Sequence, residues 1–474
     1  MNTKLLKQKI LDLAIRGKLT QQLKSDGTAR ELLEQISSKV SSSSSTLSSP
    51  RRRGSPSAQS EKTIIPLDKS EAPFEIPANW EWVRLGDVCE LISGQDFPPE
   101  KYNAEKKGLP YITGASNFVN NHVILNRWTE YPSVIAQKGD ILLVCKGSGY
   151  GNYVYADFEK AHIARQIMAI RISDKTLNAY VYNFLGSQYE RLKFQGNGLV
   201  PGIARSVVLD LIVPLPPLAE QQRIVAKIEE AFAEIDAIEK NKELLKTHIK
   251  QARQKILDLA IHGKLVPQSK ADEPASVLLE RITRDNPHYE KIEDEPFEIP
   301  ENWAWCRLRN LSESIQYGYN APAKDFGRIK MVRISDIHEN EVEWDSVPYC
   351  DIDDKEIQTY LLKKNDILFA RTGGTVGKSF IVSNLPEDAV YAGYLIRTRY
   401  GKNANAQYMK YFMESNLYWE QLRDGCIATA QPNCNGKTLG KMQIPLPPLN
   451  EQSRIVAKIE ELFSTLDQME RNLV

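Results

Sequence analysis

The sequence predicts an α+β fold: two globular modules separated by a long antiparallel coiled coil, with internal duplication and pseudo-two-fold symmetry. Three observations predict it. Long phrases occur twice in the 474 residues. A heptad rhythm runs through 218–262 without one Pro or Gly. The stretches on either side carry short β-like runs between turn residues.

The duplication is read directly. "QKILDLAIRGKL" at 8–19 returns as "QKILDLAIHGKL" at 254–265, and "PFEIPANWEWVRL" at 73–85 returns as "PFEIPENWAWCRL" at 296–308. "KGDILLVCKGSGYG" at 138–151 matches "KNDILFARTGGTVG" at 364–377. "VPLPPLAEQQRIVAKIEE" at 213–230 matches "IPLPPLNEQSRIVAKIEE" at 444–461. Chance does not produce such identity.

Residues 1–36 read as an N-terminal helical region whose end matches the end of the central helix. Residues 37–72 read as a Ser-rich linker, because a stretch with so few apolar side chains cannot offset its ordering entropy. Arg51, Arg52 and Arg53 within it are solvated or touch a phosphate backbone in passing. Residues 73–217 and 296–448 are the two modules, each of single-domain size. Both open on Asn-Trp-x-Trp, which puts Trp80/Trp82 and Trp303/Trp305 on a strand face and in the core. The segments 178–194 and 405–422 read as amphipathic helices.

Between the modules, 218–266 is the central helix, on the order of 65 Å long at 1.5 Å per residue, followed by a helical linker at 267–295. Pro216-Pro217 set its start and Gly263 its stop. Its seam is Ile224, Ile228, Ile235, Ile238, Leu245, Ile249, Ile256 and Leu259, broken by Lys242. The helix at 449–474 repeats its first half through Ile455, Ile459, Leu462 and Leu466, and the N-terminus repeats its second half through Leu6, Ile10 and Leu13. The terminal helices together therefore equal the central one and are expected to pack antiparallel against it. An intermolecular coiled coil is the alternative.

Lys+Arg and Asp+Glu balance at 61 each, so any nucleic-acid binding must use local clusters such as Lys101/Lys106/Lys107 or Arg328/Lys330/Arg333. The six cysteines lack C-x-x-C spacing and read as thiols in a reducing, cytoplasmic setting. The charged N-terminus is no signal peptide, and no apolar run is long enough for a membrane. No metal cluster or catalytic motif emerges, so the chain reads as a non-enzyme. "FARTGGTVGKSF" at 369–380 comes one residue short of a P-loop, with Thr372 where the first Gly belongs. Its first copy, "LVCKGSGYGNYV", keeps only Gly-x-x-x-Gly, and a strand follows where a P-loop opens a helix. A strand–turn–strand loop is expected. A nucleotide-binding protein and a coiled-coil scaffold remain as rivals.

The repeated Pro-Leu-Pro-Pro-Leu-x-Glu-Gln phrase at 214 and 445, the Gly-Lys-Leu helix end and the Asn-Trp-x-Trp openings resemble the specificity subunit of type I restriction–modification enzymes. That resemblance implies two target recognition domains, each reading half of a bipartite double-stranded DNA site, and helices that act as ruler and docking surface. It implies two methylation subunits and two restriction subunits as partners. It places no cofactor on this chain: S-adenosylmethionine, ATP and Mg belong to the partners. A two-headed DNA-binding adaptor lacking methylation subunits is the nearest rival.

Under that resemblance the loops that differ between modules must face DNA, with Lys/Arg on phosphates or guanine and Asn/Gln on adenine. The candidates in the first module are Ser93, Gln95, Lys101, Lys146, Ser148, Arg165, Gln166 and Asn197. In the second they are Tyr317, Tyr319, Asn320, Lys324, Arg333, Arg371, Thr372, Lys378, Gln431 and Asn433.

Overall fold

The computed structural model describes residues 2–43, 67, 71–147, 149–195, 202–284, 292–338, 340–427 and 433–473. They form two compact units, Met1–Asn241 and Lys242–Val474, whose boundary falls inside the helix Leu218–Ile261.

In the first unit the chain starts with the helix Thr3–Ile15, capped by the Asn2 side chain. The helix ends in a Schellman turn: Lys18 N–H reaches Leu13 O at 2.9 Å and Gly17 N–H reaches Ala14 O at 3.2 Å. Gly17 sits at φ 65°, and a Cβ there would lie 2.4 Å from Pro77. Gly263 repeats this at φ 67° against Pro300, also 2.4 Å away. The Gly-Lys-Leu phrase thus marks a turn where only glycine fits. Thr28 and Glu31 then form a reciprocal capping box and open the helix Ala29–Ser43. Residues 37–43 of the expected linker are therefore helical, since extending a nucleated helix costs little per residue. Residues 44–66 and 68–70 of that linker, with Arg51–Arg53, lie outside the described residues, while Leu67 N–H reaches Trp82 O at 2.9 Å.

The first module closes on itself where Glu81–Arg84 pairs antiparallel with Ile212–Leu215. Between these lie two four-stranded sheets. One has the order Glu90–Ser93, Ile167–Arg171, Ile141–Val144, Tyr153–Tyr155, and is antiparallel throughout. The other has the order Trp128–Thr129, Leu109–Ile112, Lys160–Ile163, Ile135–Gln137 and contains a parallel pair. The second module repeats the scheme. Ala304–Arg307 pairs with Gln443–Leu446, and one sheet has the order Ser314–Tyr317, Leu395–Arg399, Ile367–Ala370, Ser379–Ile381. The expected helix over 178–194 is found as Lys175–Gln195. That over 405–422 is broken into Ala406–Phe412 and Asn416–Leu422. Ser415 breaks it by turning extended and capping the second piece through Tyr418 N–H.

Each unit has a core joining its helices to its module. In the first, Leu11, Ala14, Ile15, Trp80, Tyr180, Phe184, Ile224 and Ile228 share one cluster. In the second, Leu257, Ala260, Ile261, Trp303, Tyr408, Phe412, Ile455 and Ile459 do so. The helices in each unit run antiparallel: Lys7 pairs with Asp236 and Arg223 with Asp26, while Arg253 pairs with Asp467 and Arg454 with Asp272. The predicted seam holds at Ile224, Ile228, Ile235, Ile249, Ile455 and Ile459, all buried. It fails at Ile238 and Leu245, which are 48% and 40% exposed. Thr3, the first helical residue, lies beside Glu239, so Ile238 sits at the very end of its flanking helix. Ile256, Leu259, Leu462 and Leu466 are only half-buried. The inward face turns instead to Leu257, Ala260 and Ile261, matching Leu11, Ala14 and Ile15, because the module covers these helices as well as the partner helix.

Candidate nucleic-acid interface

In each module one end of the antiparallel sheet gathers the loops in which the two copies differ. In the first, Ser93 lies opposite Met168 and Val144 opposite Ile167. The strand ends 93 and 144 and the turn 164–166 therefore share an edge. Lys146 bridges to Gly202, and Ile203 N–H reaches Cys145 O at 2.7 Å, bringing in a fourth segment. In the second module Tyr317 lies opposite Ile396 and Ala370 opposite Leu395. Thr372 bridges to Asn433, and Cys434 N–H reaches Arg371 O at 2.9 Å. The geometry is repeated while the side chains are not.

The loop 369–380 is a strand–turn–strand. Ile367–Ala370 pairs antiparallel with Ser379–Ile381 across a 3-10 turn at Gly373–Thr375. Gly373 and Gly377 sit at φ 74° and 92°, and Gly147 and Gly151 repeat this at 87° and 89°. No helix opens behind Gly377 to aim amides at a phosphate, which removes the nucleotide-loop reading.

The sheet end thus brings together Ser93, Gln95, Lys146, Arg165 and Gln166 in the first module. In the second it brings together Tyr317, Tyr319, Asn320, Arg371, Thr372 and Asn433, with Lys378 just before the hairpin strand Ser379–Ile381. Ser148, Asn197 and Gln431 lie outside the described residues. Lys101, Lys324 and Arg333 belong to other loops. Lys101 follows the turn at Pro99 with its Nζ 6.0 Å from the Tyr131 ring, and Lys324 pairs backbone to backbone with Tyr349. Arg333 caps a turn with Asp336. Arg205, not singled out from the sequence, donates to Ser93 Oγ at 3.1 Å. Its sequence signal is that it lies within the stretch "NGLVPGIARSVVLD" at 197–210, where the second copy has "ATAQPNCNGKTLGK".

Electrostatics divides the basic candidates. Arg165 is held by Asp96 at 2.6 Å, Arg333 by Asp336 at 2.7 Å and Lys324 by Asp351. The expected cluster Arg328/Lys330/Arg333 is neutralised within the module, since Arg328 pairs with Asp354 and the buried Lys330 with Glu387. Among the described residues no carboxylate lies within ion-pair distance of Lys101, Lys146, Arg371 or Lys378. Arg371 is instead stacked over the Tyr317 ring at 4.8 Å. The Tyr317 hydroxyl accepts from Gly436 N–H at 2.9 Å, and the Arg371 Nε is buried without a hydrogen-bond partner.

Beneath the first module's loops, His162 stacks on Phe97 at 4.2 Å. Its Nε2 faces Gln95 O at 2.8 Å and its Nδ1 faces the amides of Ser133 and Val134. Burial pushes its pKa down, so the neutral ring clasps the loop that carries Gln95. A cavity of about 760 Å³ elsewhere in the unit is lined by Phe118, Tyr153, Tyr155, Tyr182 and Phe232. Among the described residues no group of His, Cys, Asp and Glu is placed to hold a metal ion. No described helix is long and apolar enough to cross a membrane.

Residues 77–247 and 300–473 match the family described as type I restriction modification DNA specificity domain. The chain is 28% identical to the type I restriction enzyme EcoKI specificity subunit of Escherichia coli K12, over 84% of this chain and 85% of the relative. It is 24% identical to the EcoAI specificity subunit of Escherichia coli, over 98% and 90%. Among solved structures, the HsdS subunit from Thermoanaerobacter tengcongensis aligns with a TM-score of 0.50 at 19% identity, covering 85% of this chain and 96% of that one. A chain from a study of type I R-M complex assembly and conformational transition aligns at 0.59, also at 19% identity, covering 85% and 94%. Two family matches, falling on the two copies of the repeat, show that the chain belongs to the family of type I restriction–modification specificity subunits.

Proposed function

We propose that this chain selects the DNA sequence for a type I restriction–modification complex. Residues 73–217 and 296–448 act as target recognition domains, each binding one half of a bipartite duplex site. The helical regions dock two methylation subunits, and two restriction subunits complete the complex in the cytoplasm. The chain is non-catalytic: S-adenosylmethionine, ATP and Mg are held by the partners, which carry out adenine methylation and restriction.

One observation carries this reading. The same loop-bearing sheet end occurs once per unit, pinned by the bridges Lys146–Gly202 and Thr372–Asn433, with different side chains in each. A repeated scaffold with different loops is what reading two different half-sites requires, because bases are told apart by the donors and acceptors offered to their groove edges. The side chains assigned to this task are Ser93, Gln95, Lys146, Arg165 and Gln166, then Tyr317, Tyr319, Asn320, Arg371, Thr372, Lys378 and Asn433. Ser148, Asn197 and Gln431 belong to the same loops by sequence. Lys101, Lys324 and Arg333 are assigned to flanking backbone contacts.

The test is to express the chain with the methylation subunit of its own system in cells lacking other methylases and to sequence the modified bases. A single motif of two half-sites around a fixed spacer is expected. Exchanging 296–448 for the corresponding module of a relative should change one half-site only. The absence of any modified motif, or a change in both halves, would count against the reading.

A further inference from the structure

We propose that Arg371 reads a guanine in the half-site bound by the second module, with Tyr317 as its positioning residue. The inference rests on the DNA-specificity reading and goes beyond it by naming the base and the side chain.

Four observations converge on this residue. Its backbone is held on both sides, by Arg371 N–H to Tyr394 O at 3.2 Å and by Cys434 N–H to Arg371 O at 2.9 Å. Its guanidinium lies over the Tyr317 ring at 4.8 Å. That ring is itself fixed at both ends, by the strand pairing of Tyr317 with Ile396 and by the hydroxyl's bond from Gly436 N–H. Nε is buried with no acceptor, and among the described residues no carboxylate pairs with the group, in contrast to Arg165, Arg328 and Arg333. An arginine that serves only the fold of this module carries its acceptor with it, as Arg399 does with Asp366 at 2.6 Å. Among the described residues, Arg371 is held in place with its hydrogen-bonding fork unspent.

A planar fork on a fixed aromatic ring suits a planar pair of acceptors. Guanine offers O6 and N7 in that geometry in the major groove, and arginine is their commonest partner. Holding the fork in advance lowers the rotamer entropy lost on binding. A phosphate contact needs charge but no such orientation, and the exposed Lys378 on the same hairpin supplies charge without it. The first copy has Cys145 at the position matching Arg371, a buried thiol. The guanine-reading device therefore belongs to one half-site alone.

The experiment uses the reconstituted complex of this chain with its methylation subunits, once the methylated motif is known. Each guanine of the second half-site is replaced in turn by 7-deazaguanine, which lacks the N7 acceptor. Methylation is then compared for wild type, R371A, R371K and Y317A. At one guanine the wild type should lose about ten- to a hundred-fold, R371A should show no further loss there, and R371K should retain charge but not the discrimination. Y317A should weaken discrimination at that same guanine. Unchanged reading of the first half-site shows that each variant is folded. The proposal is overturned if the second half-site contains no G·C pair, or if 7-deazaguanine affects wild type and R371A alike. It is also overturned if R371A weakens binding equally on all sequences while lowering the salt slope by about 0.9, the mark of a phosphate contact. A wild-type complex that modifies no motif would overturn the specificity reading as well.

Discussion

Trp80 donates its indole N–H to the wholly buried carboxylate of Glu220 at 2.8 Å. The other oxygen of Glu220 accepts from Gln22 Nε2 at 2.7 Å. One carboxylate in the first turn of the central helix therefore ties together the N-terminal helical region, the start of the first module and the helix itself. Glu451, also buried, accepts from Gln268 at 2.7 Å in the second unit. Glu220→Ala strands the buried indole N–H of Trp80, takes the acceptor from Gln22 and Thr20, and removes a charge placed favourably at a helix N-terminus. It should destabilise the first unit by about 3 kcal/mol, read as an earlier denaturant transition of the full chain.

Acid should loosen both units at their outer helical junctions. The hydrogen bond from Arg223 holds the Asp26 carboxyl below its ordinary range, and Arg454 does the same for Asp272. A depressed carboxyl stabilises the fold above its unfolded pKa of about 3.8 and loses that contribution as pH falls through the folded value. Burial pushes Glu451 the other way, so its contribution is present at low pH and fades as pH rises through its raised folded pKa. D26N and D272N should flatten the pH dependence below about pH 4 and cost about 2 kcal/mol at pH 7. Thermal melts across pH 2–7 measure both effects, and unaltered slopes would contradict the assignment.

Gly373 and Gly377 of the 369–380 loop should respond differently to alanine. A Cβ on Gly377 would lie 2.1 Å from Leu422 and 2.7 Å from Trp419, at φ 92°. Left-handed strain and overpacking together should cost about 2–4 kcal/mol. Gly373, at φ 74°, would meet nothing within 4 Å, so G373A should cost about 1 kcal/mol from strain alone. Equal losses of melting temperature would show that the turn is not packed as described.

Tyr180 and Tyr408 each donate to a proline carbonyl of the repeated phrase, Pro214 O at 2.5 Å and Pro445 O at 2.6 Å. Both rings are fully buried. Phenylalanine at either place leaves a buried carbonyl without its donor, at about 1–2 kcal/mol. The cost should fall on the unit that carries the change. Full retention of stability in Y180F and Y408F would mean that another group takes over the carbonyl.

Much of the fold was legible because repetition and periodicity are properties of the chain alone. The Gly-Lys-Leu phrase, the Trp pairs and the Gly-x-x-x-Gly hairpins recur at matching places and fold alike in both copies. The interface was legible as a set of divergent loops and no further. Arg165, Arg333 and Arg371 look equivalent in the sequence. Asp96 and Asp336 neutralise the first two, while Arg371 lies on Tyr317. Asp336 is close enough in the chain to have been suspected as a local cap. Asp96 comes from the loop after Glu90–Ser93 and Tyr317 from another strand, and Arg205 reaches Ser93 across the same sheet end.

Taken alone, the sequence determined the duplication, the α+β modules, the heptad-bearing helix and the family to which they belong, because each is written in spacing and identity. Tertiary structure decided which part of the seam is covered, as the exposed Ile238 and Leu245 show. It decided that Ser415 ends one helix and starts another, and which basic side chains keep their charge for a partner. Those outcomes depend on what lies within a few ångströms across the fold. Coulomb attraction and burial act over that distance, and position along the chain does not encode it.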